Sequence, residues 1–125
     1  MKDIRHQNRI KIIKKLFSLS FSNQQDNDAE VDNPLLKNIL KNNKKLENII
    51  SKHASRYPIE KISKLDLAIL KLSTYELIIE KKNPPKVIID EAVELAKEYG
   101  NQKSYSFVNG VLGAILKDVE NEKQA

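Results

Sequence analysis

The side chains of this chain that could do chemistry are cations near its amino terminus. Residues 1–15 hold six basic side chains against the single acid Asp3, and so account for the whole net charge of +5. Basic residues gathered on one terminal element are typical of a surface that binds a polyanion such as a nucleic acid. A solvated helix face is the alternative that charge alone leaves open. The six residues are Lys2, Arg5, Arg9, Lys11, Lys14 and Lys15.

A second candidate site for a phosphate lies at Lys103 and Ser104. Ser104 is predicted to cap the last helix, so that the first amide groups of that helix point outward. Such amides, with a lysine beside them, form a ready phosphate site because the helix dipole is positive at this end. An ordinary capped helix is the alternative interpretation.

The sequence contains no pattern typical of a catalytic or metal site. It has no cysteine, which excludes disulfides and thiolate ligands, and its two histidines, His6 and His53, lie far apart. It has no glycine-rich phosphate loop, no HExxH motif and no nucleophile elbow. We therefore expect a binding protein that is not an enzyme and that uses neither a metal nor a cofactor.

The chain is also predicted to be cytoplasmic and not to enter a membrane. No apolar run approaches the roughly 20 residues that a membrane span needs. The amino terminus is amphipathic and lacks the composition of a signal peptide.

The elements that must position the candidate residues are predicted to be helices, which gives an all-α fold. The chain has only three glycines and four prolines, and its apolar residues recur at helical spacing. We expect one compact multi-helix bundle over residues 1–120, followed by a frayed tail over residues 121–125. A polar linker is predicted over residues 22–32. The predicted helices cover residues 4 to about 21, 33 to about 56, 62 to about 82, 86 to 99, and 104 to about 119.

Several charged residues fall on helix faces that are predicted to be apolar. Arg5, His6 and Arg9 lie on the upstream extension of the apolar face of the first helix, and Glu76 lies in the apolar stripe of the central helix. A buried carboxylate needs a partner. Because no second catalytic group accompanies Glu76, we interpret it as part of a structural ion pair or a helix cap, with Arg9 as the first candidate partner.

Three further positions attract attention because of where they lie on their helices. Asp66 is predicted at the edge of the central helix, facing solvent or a partner. Gly110 and Gly113 lie opposite the apolar stripe of the last helix, where each costs roughly 1 kcal/mol relative to alanine. Such glycines predict the close approach of another backbone.

Three segments, in their order and spacing, resemble the C-terminal half of proteins of the NusB family. They are ILKLSTYEL at residues 69–77, VIIDEAVELAKEYG at residues 87–100 and SYSFVNGVL at residues 104–112. The resemblance is specific over roughly residues 59–116. It implies a small all-helical bundle of the NusB type that binds RNA with a protein partner and catalyses nothing.

The resemblance also implies particular partners. These are boxA, a short single-stranded element of ribosomal RNA leaders, and ribosomal protein S10 (NusE), within a transcription elongation complex that includes other Nus factors. Asp66 matches an acidic position that the family associates with S10 docking. The charge pattern and the resemblance together assign RNA binding to Lys2, Arg5, His6, Arg9, Lys103, Ser104 and Phe107, and structural roles to Glu76, Asn109 and Gly110.

The chain departs from the family pattern at two places. His6 and Gln7 stand where many members have a denser arginine cluster, and Lys103 stands where an acidic residue often precedes the serine. Two alternatives therefore remain: a protein-docking helical module without RNA binding, and a relative of the NusB-like domain of ribosomal-RNA methyltransferases. The sequence leaves open whether the protein is a monomer or a homodimer.

Overall fold

The computed structural model describes residues 4–21, 33–54 and 56–124, and every regular element in these ranges is a helix. The predicted all-α fold is confirmed. A 3₁₀ turn, Ile59–Lys61, precedes the fourth helix, and a π-helical turn, Glu76–Glu80, follows it. Lys2 and the predicted linker at residues 22–32 lie outside the described residues. The helices are α1 (Ile4–Leu19), α2 (Pro34–Lys41), α3 (Asn43–His53), α4 (Lys64–Tyr75), α5 (Pro85–Tyr99) and α6 (Ser104–Gln124).

Helix α4 lies at the centre of the bundle, as its apolar residues on all sides predict. Eight of its 12 residues are buried, and it packs against α1, α3, α5 and α6. Ser63 caps its first turn by accepting the Asp66 N–H at 3.1 Å. At the other end, the chain widens into the π turn and stops at Lys81, whose φ of 56° is left-handed. Pro84 and Pro85 follow soon after and prevent the helix from continuing.

The second predicted helix, over residues 33 to about 56, is two helices in the structure, so that prediction was wrong. Asn33 caps α2 as expected, with its side-chain oxygen accepting the amides of Leu35 and Leu36 at 2.9 and 3.2 Å. The break falls at Asn42, whose side-chain amide donates to the Asn38 carbonyl at 2.8 Å. Asparagine interrupts helices in this way because its side chain competes for the backbone groups that a continuous helix would pair.

The last helix is longer than predicted. Residues 121–124, expected to be frayed, continue α6 as far as Gln124. No glycine or proline follows Gly113, and Glu, Lys and Gln at the end of the chain are good helix formers. The first helix is slightly shorter than predicted, ending at Leu19.

Helices α1 to α6 together bury one aliphatic core. Ile39, Leu46, Ile50, Ile69 and Leu112 are completely inaccessible to solvent. None of the helices in the described ranges is both long enough and apolar enough to cross a membrane. The interior is thus filled by packed aliphatic side chains.

Candidate nucleic-acid interface

The basic residues of α1 divide into an exposed set and a buried set. His6 and Arg9 are only 5% and 8% exposed, which confirms that they extend the apolar face. Arg5 is exposed, so its predicted place on that face was wrong. One residue turns a helix by 100°, which is enough to move Arg5 from the rim of the face to solvent. The exposed lysines of this helix are Lys11, Lys14 and Lys15.

Arg9 and Glu76 form a buried, two-pronged ion pair. The Arg9 Nη2 donates to Glu76 Oε1 at 2.8 Å, and its Nε donates to Oε2 at 3.1 Å. This is the partner that sequence reasoning named for Glu76. The fork geometry satisfies both carboxylate oxygens, which is what makes such a buried pair tolerable. Glu76 is the first residue of the π turn, so the pair fixes α1 against the end of the central helix.

His6 extends this contact to α5. Its Nδ1 lies against Glu91 Oε1 and its Nε2 lies 3.2 Å from Glu98 Oε2. The Glu91 oxygen also lies 3.9 Å from Arg9 Nη1. We refer to His6, Arg9, Glu76, Glu91 and Glu98 as the α1 anchor. Sequence reasoning singled out neither Glu91 nor Glu98, although their spacing of seven residues, two helical turns, is a signal that they share one face.

The α1 anchor changes how the predicted RNA contacts on this helix must be understood. Arg9 and His6 have carboxylate partners and are buried, and Arg5 and the three lysines are exposed. Direct contact of RNA with Arg9 or His6 stays a prediction. What the structure shows is that both side chains attach α1 to α5 and to the π turn.

The loop before α6 is built around Ser104, but not in the manner predicted. Ser104 is 1% exposed, and its hydroxyl accepts the Asn101 N–H at 3.0 Å. The Lys103 N–H donates to the Asn101 side chain at 2.8 Å. Ser104 was predicted to cap α6, but it is the first residue of that helix and its buried hydroxyl accepts an amide of the preceding loop, so the cap prediction is corrected, while a phosphate contact at this site stays a prediction. Lys103 itself is exposed, as predicted.

Gly100 is required by this same loop. A Cβ placed there would lie 2.7 Å from the Ala96 carbonyl oxygen and closer still to the Ser104 side chain. Gly100 ends α5 with an extended backbone, at φ −91° and ψ −171°. The predicted end of this helix at residue 99 is confirmed. The physical reason for the glycine is the close approach of Ser104, and not a left-handed conformation.

An open pocket of about 210 Å³ lies between the amino-terminal ends of α4 and α6. Phe107 of α6 meets Tyr57 edge to face, with ring centroids 5.6 Å apart. Asp66 was predicted to face solvent or a partner. It is only 7% exposed, which excludes the solvent-facing alternative, and its contact with a partner stays a prediction. It lies in the first turn of α4, on the side that the pocket occupies. The α4–α6 pocket is lined by Tyr57, Lys61, Ser63, Asp66, Lys103 and Phe107, together with Ile62 and Asn101.

The glycines of α6 do not have the environment that sequence reasoning predicted. Gly110 and Gly113 are exposed, and a Cβ on either would have no atom within 4 Å. Asn109 is exposed as well. Within the described residues, no neighbouring backbone explains the glycines, and the structural roles assigned to Asn109 and Gly110 are corrected accordingly.

The sequence profile of the NusB family matches residues 2–117. The chain belongs to the NusB family. The match includes the amino-terminal half, where the motifs had given only a weak resemblance. Among named relatives, the transcription antitermination protein NusB of Finegoldia magna is 41% identical over 101 residues, which is 81% of this chain and 74% of the relative. The protein of the same name from Clostridium kluyveri is 39% identical over 111 residues, 89% of this chain and 71% of the relative.

Solved structures agree with this membership of the NusB family. NusB of T. maritima superimposes with a TM-score of 0.81 at 33% identity, covering 94% of this chain and 93% of that one. A chain in a structure described as a plectonemic RNA supercoil gives a TM-score of 0.77 at 27% identity, covering 92% of this chain and 95% of that one. The NusB bundle therefore accounts for nearly all of the molecule.

Within this NusB bundle, the predicted site residues fall into two separate places. His6 and Arg9 meet in the α1 anchor, with Arg5 exposed on the same helix. Lys103 and Phe107 meet around the α4–α6 pocket, to which the structure adds Tyr57, Lys61 and Asn101. These added residues come from two distant segments of the chain, residues 57–61 and the loop at residue 101, so no local spacing in the sequence brings them together.

Proposed function

We propose that this member of the NusB family is a transcription antitermination factor that acts by binding and catalyses nothing. The observation that supports this most directly is the family match over residues 2–117, together with relatives at about 40% identity that are named as antitermination proteins. A fold shared with a chain from an RNA-containing structure supports RNA as one ligand. As an antitermination factor, the protein would support the transcription of ribosomal RNA.

The proposed ligand is boxA-type single-stranded RNA, held by the exposed cations. Among the described residues of the predicted set, Arg5 on α1 and Lys103 before α6 are exposed, and the lysines of α1 add to the positive field. Phosphate contacts of this kind fix the position of the strand without reading its bases. His6 and Arg9 contribute by holding α1 in place, and Phe107 by offering an aromatic edge beside Lys103.

The proposed protein partner is ribosomal protein S10, in an elongation complex with the other Nus factors. This rests on the family resemblance. Asp66 is buried, so S10 would reach it only by inserting a side chain into the α4–α6 pocket. If S10 and RNA bind cooperatively, the coupling is reciprocal and typically amounts to about 1–3 kcal/mol.

A titration of the purified protein with a labelled boxA RNA, with and without S10, tests the proposal. We expect measurable binding of boxA alone, tighter binding when S10 is present, and an equal strengthening of S10 binding by RNA. A boxA of the same composition but scrambled sequence is the matched control. Absence of RNA binding in both conditions would contradict the proposed function.

A further inference from the structure

We infer that a groove between the start of α5 and the end of α6 docks an acidic segment of a partner protein that carries aliphatic side chains. The groove is closed on its third side by the π turn. We refer to it as the α5–α6 groove. On α6, its residue Val119 lies about 18 Å along the helix axis from Phe107 of the α4–α6 pocket. The groove is therefore separate from the residues that the proposed function assigns to RNA and to S10.

The lining of the α5–α6 groove favours an aliphatic side chain as its occupant. At about 210 Å³ the space is smaller than the roughly 300–1,000 Å³ of sites for drug-sized ligands. Among the described residues no aromatic ring lines it, so a nucleic-acid base would find no stacking partner there. Burial of apolar surface is the main attraction that such a lining offers. Its aliphatic residues are Leu77, Ile88, Leu116 and Val119, together with Pro85.

The rim of the groove is basic. Lys81 and Lys123 line it against the single acid Glu120. Residues 81–86 hold three lysines and no acid, which extends the positive field beyond the rim. In the described part of the chain, neither Lys81 nor Lys123 forms an ion pair. A partner with acidic side chains beside its apolar ones is therefore complementary to the groove.

The backbone at Lys81 independently indicates that the charge at the rim has a use. This residue is the only one in the described ranges, apart from glycine, with a positive φ, at φ 56° and ψ 31°. Glycine adopts this left-handed conformation without strain, whereas a side chain with a Cβ does not. Strained residues of this kind are concentrated at functional sites. Lysine at this position strains the backbone but places an unpaired positive charge at the edge of the groove.

The helix ends at the groove also suit an acidic occupant. Pro85, which lines the groove, is the first residue of α5, and no side chain caps this helix. Its first amide groups and the positive end of its dipole attract a carboxylate, which a partner could supply as the missing cap. The negative end of α6 is offset by Lys123, which lies in the last turn of that helix.

A second copy of this chain does not provide the required acidic and apolar segment. Phe21, Tyr99 and Tyr105 are exposed, but a lysine ammonium lies 5.2–5.9 Å from the centroid of each ring. Docking any of these aromatic residues in the groove would bring that lysine close to the lysines of the rim. The charges therefore favour a different protein as the partner.

Two labelled decapeptides that share four leucines, with six glutamates in one and six lysines in the other, test this inference. Fluorescence anisotropy titrations of the full chain measure both affinities. Because an exposed charge pair contributes up to about a fivefold change in affinity, and the rim offers two, the glutamate peptide should bind at least about fivefold more tightly. It should also shift the methyl NMR signals of Ile88, Leu116 and Val119, which identifies the groove as the binding site.

A variant that combines Lys81→Gly with Lys123→Ala removes both charges from the rim. Lys81→Gly relieves the strained backbone, so the fold should be retained. This variant should bind the glutamate peptide at least about threefold more weakly and keep its affinity for boxA RNA. The matched control combines Lys11→Ala with Lys15→Ala, which removes two exposed lysines from α1 and should leave the affinity for the peptide unchanged.

Four results would overturn the inference. They are absence of binding of the glutamate peptide, equal affinity for the two peptides, equal losses in the rim variant and its α1 control, and unshifted methyl signals. Loss of boxA affinity in the rim variant would assign the groove to RNA instead. Sedimentation velocity tests the remaining occupant: a wild-type dimer that the rim variant converts to a monomer would assign the groove to a second copy of the chain and overturn the inference.

Discussion

Arg9 and Asp66 are charged side chains with almost the same small exposure, 8% and 7%, yet their surroundings differ completely. Arg9 lies in the α1 anchor, where two carboxylates are within 4 Å of its guanidinium. Asp66 lies in the α4–α6 pocket with an oxygen that has no donor among the described residues. A charge that is matched within the chain stabilises the fold, whereas an unmatched one beside an open cavity is available to a ligand.

The largest expected effect comes from removing a carboxylate from the α1 anchor, which tests whether the paired charge of Arg9 supports the fold. Glu76→Ala should lower the free energy of unfolding by about 3–5 kcal/mol, because it leaves Arg9 buried without its carboxylate. Glu94→Ala, at an exposed position of α5, should change it by no more than about 0.5 kcal/mol. Chemical denaturation of both variants measures the difference. Similar midpoints for the two would show that the ion pair is not a main support of the fold.

The next largest change in stability is expected from a substitution in the loop beside the pocket. Gly100→Ala should cost about 1–3 kcal/mol, since the new methyl group would overlap the Ser104 side chain and the Ala96 carbonyl. Gly113→Ala is the opposite control: with open space around it, the substitution should stabilise α6 by up to about 1 kcal/mol. Thermal unfolding distinguishes the two signs. A Gly100→Ala variant as stable as the wild type would mean that the loop adjusts without strain.

A smaller effect is expected from the exposed cation near the α1 anchor. If about four phosphates are neutralised, log K against log salt should have a slope near −3 for a single strand, and Arg5→Ala should reduce its magnitude by about 0.7. Lys15→Ala is the control on the same helix, and should alter the slope less if the strand runs past the end of α1 that holds Arg5. The slope is read from titrations with boxA RNA at several salt concentrations. Equal losses from the two variants would show that Arg5 has no special position.

The smallest effect concerns the mouth of the pocket. Lys103→Ala should weaken RNA binding by a similar factor for every sequence, because a phosphate contact carries no base information. Lys117→Ala, farther along α6 at an exposed position, should leave the affinity unchanged. Binding to boxA and to a scrambled RNA measures both. If only one of the two RNAs lost affinity, Lys103 would contact a base and not a phosphate.

Residue spacing predicted much of this molecule because helices are local structures. The apolar periodicity placed both ends of α1 and α5 and the starts of α4 and α6 within two residues of their observed positions, and it put Arg9 and Glu76 on inward faces. It failed at Asn42 and at the end of α6, where a side-chain hydrogen bond and the preferences of individual residues decide whether a helix continues. Asp66 was placed at an edge because a helical projection contains no information about the neighbouring elements.

The sequence alone determined that the chain is helical, that its positive charge is concentrated near one end, and that Glu76 needed a basic partner. These follow from local spacing and from the cost of burying an unpaired charge. Only the tertiary structure decided which cations are buried and paired with carboxylates and which lie on the surface. It also brought Tyr57, Lys61, Asp66 and Lys103 around one cavity. The reason is that such neighbours are chosen by how helices pack across the core, and packing joins residues that lie far apart along the chain.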